Sequence, residues 1–180
     1  CGYLAGKLLA EIACLNRART TNLWVNIVRP FNIVGPRQSS KGGFVLPRFI
    51  EAALTGKELT VFGDGTQVRS FSHASDIVDG MLTIMASDIH DEVFNVGNQA
   101  NTVTINELAE RVIQVTESPS KIIHVDPKSV YGPLYEEAFD KIPNVEKMRR
   151  VHGWRAKLGL QETIDSTVAY FRERLGHDGS

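Results

Sequence analysis

Tyr3 and Lys7 stand four residues apart in CGYLAGK, at the start of a segment whose leucines recur at helical spacing. On an α-helix, residues i and i+4 project from one face, so a phenol and an ammonium placed this way reach the same small molecule. An unperturbed tyrosine titrates near pH ~10, and a cation beside it favours the phenolate, which then serves as a general base closer to neutrality. Such a pair could take a hydroxyl proton from a carbon that loses hydride in the same step. The spacing equally fits a core tyrosine followed by a lysine whose stem lies along apolar surface. The pair alone does not decide between the two.

The elements that must position it alternate along the chain. Leu4, Leu8, Leu9, Ile12 and Leu15 predict a helix, and the apolar run Leu23 to Val28 predicts a buried strand. RPFNIVGPRQSSKGG is a loop by its Pro, Gly and Ser content, and FVLPRFIEAALTG is helical from Pro47 onward, ending at Gly56. LTVFGDGTQVRSFSH reads as a strand, a tight Gly-Asp-Gly turn and a second strand, after which Ser75 or Asp76 caps a helix from Ile77 to Ser87. EVFNVG is a strand, TINELAERVIQVT a helix opening on a Thr104 to Glu107 capping box, and KIIHVD a strand. The tail holds a short helix over Val145 to Val151 and an amphipathic one over Leu160 to Leu175. This alternation defines the α/β class.

At 180 residues the chain suffices for one ordinary domain with a substantial core, and two full domains would be cramped. Its 20 basic and 21 acidic side chains leave a net charge of -1, which gives no electrostatic footprint for nucleic acid or an anionic membrane. Any anionic ligand must therefore be met locally. No apolar run reaches the ~18 residues of a membrane span, and Cys1 to Lys7 lacks the pattern of a secretory signal, so a soluble, cytoplasmic protein is expected. Two cysteines, Cys1 and Cys14, without ligand spacing to the five histidines predict neither a disulfide nor a metal site.

The order of segments carries more than any one of them. Tyr-x-x-x-Lys on a helix is followed by LWVNIVRP, RPFNIVGPRQ, LTVFGDGTQVRSFSHASDIVDGM, FNVGN and HGWRAKLGLQETIDSTVAYF. This succession resembles the second half of the extended short-chain dehydrogenase/reductases, specifically the NAD-dependent nucleotide-sugar epimerases, dehydratases and decarboxylases, over nearly the whole chain. The resemblance implies the C-terminal part of a Rossmann-type parallel sheet plus the small α/β substrate-binding domain. Residues 1–40 would be what remains of the dinucleotide-binding domain, and residues 41–180 mainly the nucleotide-sugar domain, with some segments returning to the sheet.

Carried over by position, the resemblance makes Tyr3 the catalytic base and Lys7 the cation that lowers its pKa and holds the nicotinamide ribose of NAD. It places Pro30 and Phe31 beside the nicotinamide and Asn32 on the sugar or phosphate of the substrate. Phe44 and Val45 would lie over the diphosphate, Thr60 and Phe62 would flank the base, and Arg69 would reach the phosphates. An amide both donates and accepts, an aromatic face stacks on a base, and a guanidinium forks onto phosphate. Each position also has a plainer reading: Asn32, Gly35 and Pro36 as turn chemistry, Phe62 as a core aromatic, Arg69 as a solvated strand arginine. The sequence departs from the family where Lys141 and Asn144 stand in place of an arginine and an aspartate around Pro143. Lysine presents a point charge instead of a fork, so phosphate contact there should be weaker.

The family's Gly-rich pyrophosphate turn and its third catalytic residue, a Ser or Thr, find no counterpart in this sequence. The expectation is a C-terminal part of an NAD-dependent nucleotide-sugar 4-epimerase, most simply for a UDP-sugar, inactive in isolation. The alternatives are a 4,6-dehydratase, a UDP-glucuronate decarboxylase or a non-catalytic nucleotide-sugar binding module. The resemblance also implies a homodimer through the first helix, whose stripe Leu4, Leu8, Ile12 and Leu15 suits either a partner or the sheet.

Overall fold

A computed structural model of the chain describes residues 2–133 and 140–177, leaving aside the side chains of Tyr3, Tyr131, Asp140 and His177. The architecture is mixed α/β, built on parallel strand pairs. Helix α1 (Gly2–Thr20) leads to β1 (Asn26–Pro30), which pairs in parallel with β6 (Glu92–Val96). The α3 helix (Ala74–Met85) lies against this pair, and α6 (Glu146–His152) packs on β6. Around them forms one cluster of buried side chains, Ile77, Ile84, Phe94, Val96, Met148 and Trp154. Trp154 plugs this cluster, 7% exposed with its indole N–H donating to Asp79 at 2.9 Å. Gly80 makes room for it: a Cβ there would lie 3.2 Å from the indole and 2.7 Å from Val96.

The second, larger cluster joins α2 (Val45–Leu54), α4 (Ile105–Thr116) and α7 (Leu160–His177) over β3 (Leu59–Phe62), with Leu46, Phe49, Ile50, Leu59, Leu108 and Ile164 all fully buried. β3 pairs in parallel with β8 (Ile122–Val125). The strand after the Gly-Asp-Gly turn, β4 (Val68–Ser70), joins a different sheet, antiparallel to β7 (Thr102–Thr104) and parallel to β9 (Asp140–Lys141). The turn redirects the chain because it is docked on α4: the Asn106 amide N–H groups donate to Gly65 O at 3.1 Å and Asp64 O at 2.9 Å. Gly65 is required there, with φ +76° and Asn106 Oδ1 within 2.0 Å of any Cβ.

Two helix starts differ from expectation. α2 begins at Val45, ahead of Pro47, because a proline in the first turn removes an N–H that has no intrahelical partner there anyway. At α3 the N-cap is His73, whose Nδ1 accepts from the Ser75 N–H at 3.2 Å. Asp76 is instead buried and accepts from the amides of Lys157 and Leu158 at 3.1 and 3.0 Å, tying α3 to the segment before α7. The capping box of α4 is present in both directions, Glu107 N–H to Thr104 Oγ1 and Thr104 N–H to the Glu107 carboxylate.

Among the described residues no helix is long and apolar enough to cross a membrane, and no three His, Cys, Asp or Glu side chains gather to hold a metal. Cys14 is an exposed free thiol, and Cys1 lies outside the described residues.

Candidate functional site

The residues after β1 fold back on themselves through Asn32, which takes a left-handed φ of 37° that asparagine tolerates better than most side chains. Its Nδ2 donates to Ser70 O at 2.8 Å, so the loop is stapled to the end of β4 and the Asn32 oxygen is turned to a fixed side. β2 (Ile33–Val34) then pairs with β5 (Ser72–His73). The chain next passes a 3-10 turn at Ser40–Gly42 and enters α2. These connections enclose a cleft of about 720 Å³.

Its walls come from four places. Pro30 and Asn32 stand at the end of β1, Phe44 and Val45 at the N-terminus of α2, Phe62 at the end of β3, and Arg69 with Lys141 on the neighbouring strands β4 and β9. Arg48, Gln38, Gln67, Phe71 and Ile105 complete the main side-chain wall. Among the described residues the lining contains three cations, several aromatic faces and no carboxylate.

Arg69 is only 7% exposed, so it is no solvated strand arginine; its Nη1 donates to Val68 O at 2.7 Å. It stands in register with Lys141 across the parallel pair. Phe62 is half-buried at the cleft, not enclosed in the core.

Of the residues that sequence reasoning singled out, Pro30, Asn32, Phe44, Val45, Phe62, Arg69 and Lys141 meet at this cleft. Thr60 does not line it; its carbonyl accepts from Arg48 at 3.0 Å. Asn144 is engaged elsewhere, its Oδ1 accepting from Glu146 N–H at 3.0 Å at the start of α6. Phe31 is held at the carboxyl end of the β1–β6 pair by its N–H to Val96 O at 3.0 Å, outside the cleft lining. Lys7 lies exposed on α1, which is tied to β1 by Arg29 Nε donating to Glu11 at 2.8 Å. The Arg29 guanidinium holds the Glu11 carboxyl below its ordinary range. The Tyr3 side chain lies outside the described residues, and its backbone is helical.

Sequence reasoning passed over Arg48, Gln38 and Gln67. Arg48 had a signal, as the lone cation in the mainly apolar helix segment VLPRFIEAAL, whose other charge is Glu51. Each glutamine closes a turn by donating to a carbonyl five residues back, Gln38 to Ile33 and Gln67 to Phe62, both at 2.9 Å. No local sequence pattern announces that contact.

This α/β fold, with its parallel strand pairs, is that of a known enzyme family. The chain belongs to the NAD dependent epimerase/dehydratase family, whose profile matches residues 2–97. It is 38% identical over 173 residues to a UDP-N-acetyl-alpha-D-glucosaminuronate decarboxylase of Bacillus cytotoxicus, covering 95% of this chain and 53% of that protein. It is 32% identical to UDP-glucuronic acid decarboxylase 1 of Xenopus tropicalis, covering 99% of this chain and 40% of the relative. The UDP-glucose 4-epimerase of Thermotoga maritima, solved with UDP-glucose, superposes with a TM-score of 0.85 at 30% identity, over 94% of this chain and 52% of that one. The dTDP-glucose 4,6-dehydratase of Bacillus anthracis, solved with NAD, gives 0.85 at 25% identity, over 98% and 53%. The chain therefore spans about half the length, or less, of the relatives it matches.

Proposed function

We propose that the chain supplies the nucleotide-sugar site and the Tyr-Lys pair of a UDP-hexuronate decarboxylase. The observation that carries the binding half of this reading is the cleft: Arg69 and Lys141 in register on neighbouring strands, with an aromatic at Phe62. Phosphates fit between paired cations and a base fits an aromatic face. The choice of decarboxylation over 4-epimerisation, which the sequence alone favoured, rests on the two decarboxylases at 38% and 32% identity.

By position, Arg69 forks onto the diphosphate, Lys141 adds a point charge, Phe44 and Val45 cover the diphosphate, and Asn32 offers its amide to the sugar. Thr60 contributes through its carbonyl, and Asn144 acts at most indirectly. The carboxyl end of a parallel pair is where open α/β sheets receive ligands, and Pro30 and Phe31 stand there on β1–β6, with α1 fastened to the same strand. These residues fit an NAD site in which Lys7 donates to ribose hydroxyls. NAD, when bound, supplies the hydride acceptor for the sugar C4. Tyr3 takes the proton of the C4 hydroxyl, with the Lys7 ammonium favouring its phenolate.

Residues 1–40 serve the dinucleotide side and residues 41–180 mainly the substrate side, with the β6 strand returning to β1. A homodimer through α1 accords with its exposed Leu4, Leu8, Leu9 and Ile12. The decisive assay incubates the complete protein with NAD and UDP-glucuronate and follows CO2. Stoichiometric CO2 release is expected. A 4-epimer formed with the carboxylate retained would return the assignment to an epimerase.

A further inference from the structure

We propose that Arg48 is a positioning residue for the base-binding end of the cleft, an inference that rests on the nucleotide-sugar reading of this cavity. An arginine among the buried Leu46, Phe49 and Ile50 of α2 would ordinarily extend its head to water. Arg48 instead turns onto β3. Its Nη2 donates to Thr60 O at 3.0 Å, and its Cζ lies 4.7 Å from the centroid of the Phe62 ring.

Thr60 and Phe62 are two apart on a strand and share one face, so a single guanidinium fixes both the backbone and the aromatic ring of that strand end. Gln67 closes the other side by donating to Phe62 O at 2.9 Å. The strand end is thus clamped at two carbonyls, and the ring presents a set face to the cleft that it lines together with Arg48. A planar cation stacked on an aromatic ring restricts its tilt in a way a flexible ammonium does not. The cations divide their work accordingly: Arg69 and Lys141 on β4 and β9 meet the phosphates, and Arg48 acts through Phe62 on the base.

A double-mutant cycle on UDP affinity tests this, with Arg48→Met, Phe62→Leu and the double variant, each checked for an unchanged melting profile. Arg48→Met should weaken UDP about fivefold, in the range expected for a lost cation-aromatic contact. Added to Phe62→Leu it should cost little more, because its effect passes through the ring. Arg48→Lys should restore only a minor part of the affinity, and it serves as the test variant if Arg48→Met does not fold. Losses that add fully, or full rescue by Arg48→Lys, would show a direct phosphate contact and overturn the proposal, as would unchanged UDP affinity in Arg48→Met. If the unsubstituted protein binds no UDP, the nucleotide-sugar reading itself fails and takes this role with it.

Discussion

Arg69 and Lys141 illustrate how position sorts two cations that composition treats alike. Arg69 is enclosed and forked, with one nitrogen already donating to Val68 O, whereas Lys141 is exposed at the rim. A charge-assisted contact made from a desolvated wall is stronger than one made at the water-facing edge. Arg69→Met should therefore weaken UDP roughly tenfold to a hundredfold, and Lys141→Met by a small factor, measured by calorimetric titration. Equal losses would contradict this ranking. Asp76 carries a different lesson. The sequence offers it as a helix cap, and the structure buries it as the acceptor for two backbone amides near residue 158. Asp76→Ala strands those donors and should cost about 1–3 kcal/mol of stability by urea unfolding. No local pattern could reveal that role, because its partners lie 81 and 82 residues away.

The helices and strands show where sequence periodicity suffices. The α4 capping box was legible because Thr104 and Glu107 are local to each other, and Thr104→Ala should cost about 1 kcal/mol in a urea titration. The longer strands β3, β6 and β8 were equally legible from apolar runs, whereas β2 lies in a stretch that reads as a loop, and β7 and β9 are too short to show a pattern. The run Leu23 to Val28, expected to be buried, becomes strand only from Asn26 and is half-buried to exposed. Strand partners were not legible, since a Gly-Asp-Gly turn looks the same whether it closes a hairpin or, as here, docks on Asn106 and sends β4 to another sheet. α6 adds a pH dependence. His152 packs its ring 4.8 Å from that of Phe94, and burial lowers the imidazole pKa below its ordinary value. The unfolded chain then binds more protons, so this contribution is complete above the unfolded value of about 6.5 and declines as the pH falls through it. His152→Phe should flatten the decline in urea midpoint between neutral pH and about pH 5.5. An equal decline in both proteins would remove His152 as its source.

At the scale of the molecule, two cores divide the chain, one under α3 and β6 and one under α2, α4 and α7, and the candidate cleft opens where the strands beside them end. The fold class and about half of the cleft residues were legible because segment order is a property of the sequence. The cleft's inner wall was not, because Arg48, Gln38 and Gln67 acquire their place only through long turns and helix-strand packing. α1 bears on assembly. Leu4, Leu9 and Ile12 are 65%, 66% and 46% exposed, and exposed apolar side chains on one helix favour association. Light scattering on the purified protein should give a dimer, and Leu8→Glu with Ile12→Glu should shift it to monomer; a monomer at all concentrations would refute the α1 interface.

The central claim, that the cleft holds a nucleoside diphosphate, is tested most directly by titrating the protein with UDP in a calorimeter. Saturable binding is predicted, strongly weakened by Arg69→Met and weakened by Phe62→Leu. Absence of any heat or melting shift up to millimolar UDP, or binding indifferent to both substitutions, would contradict it.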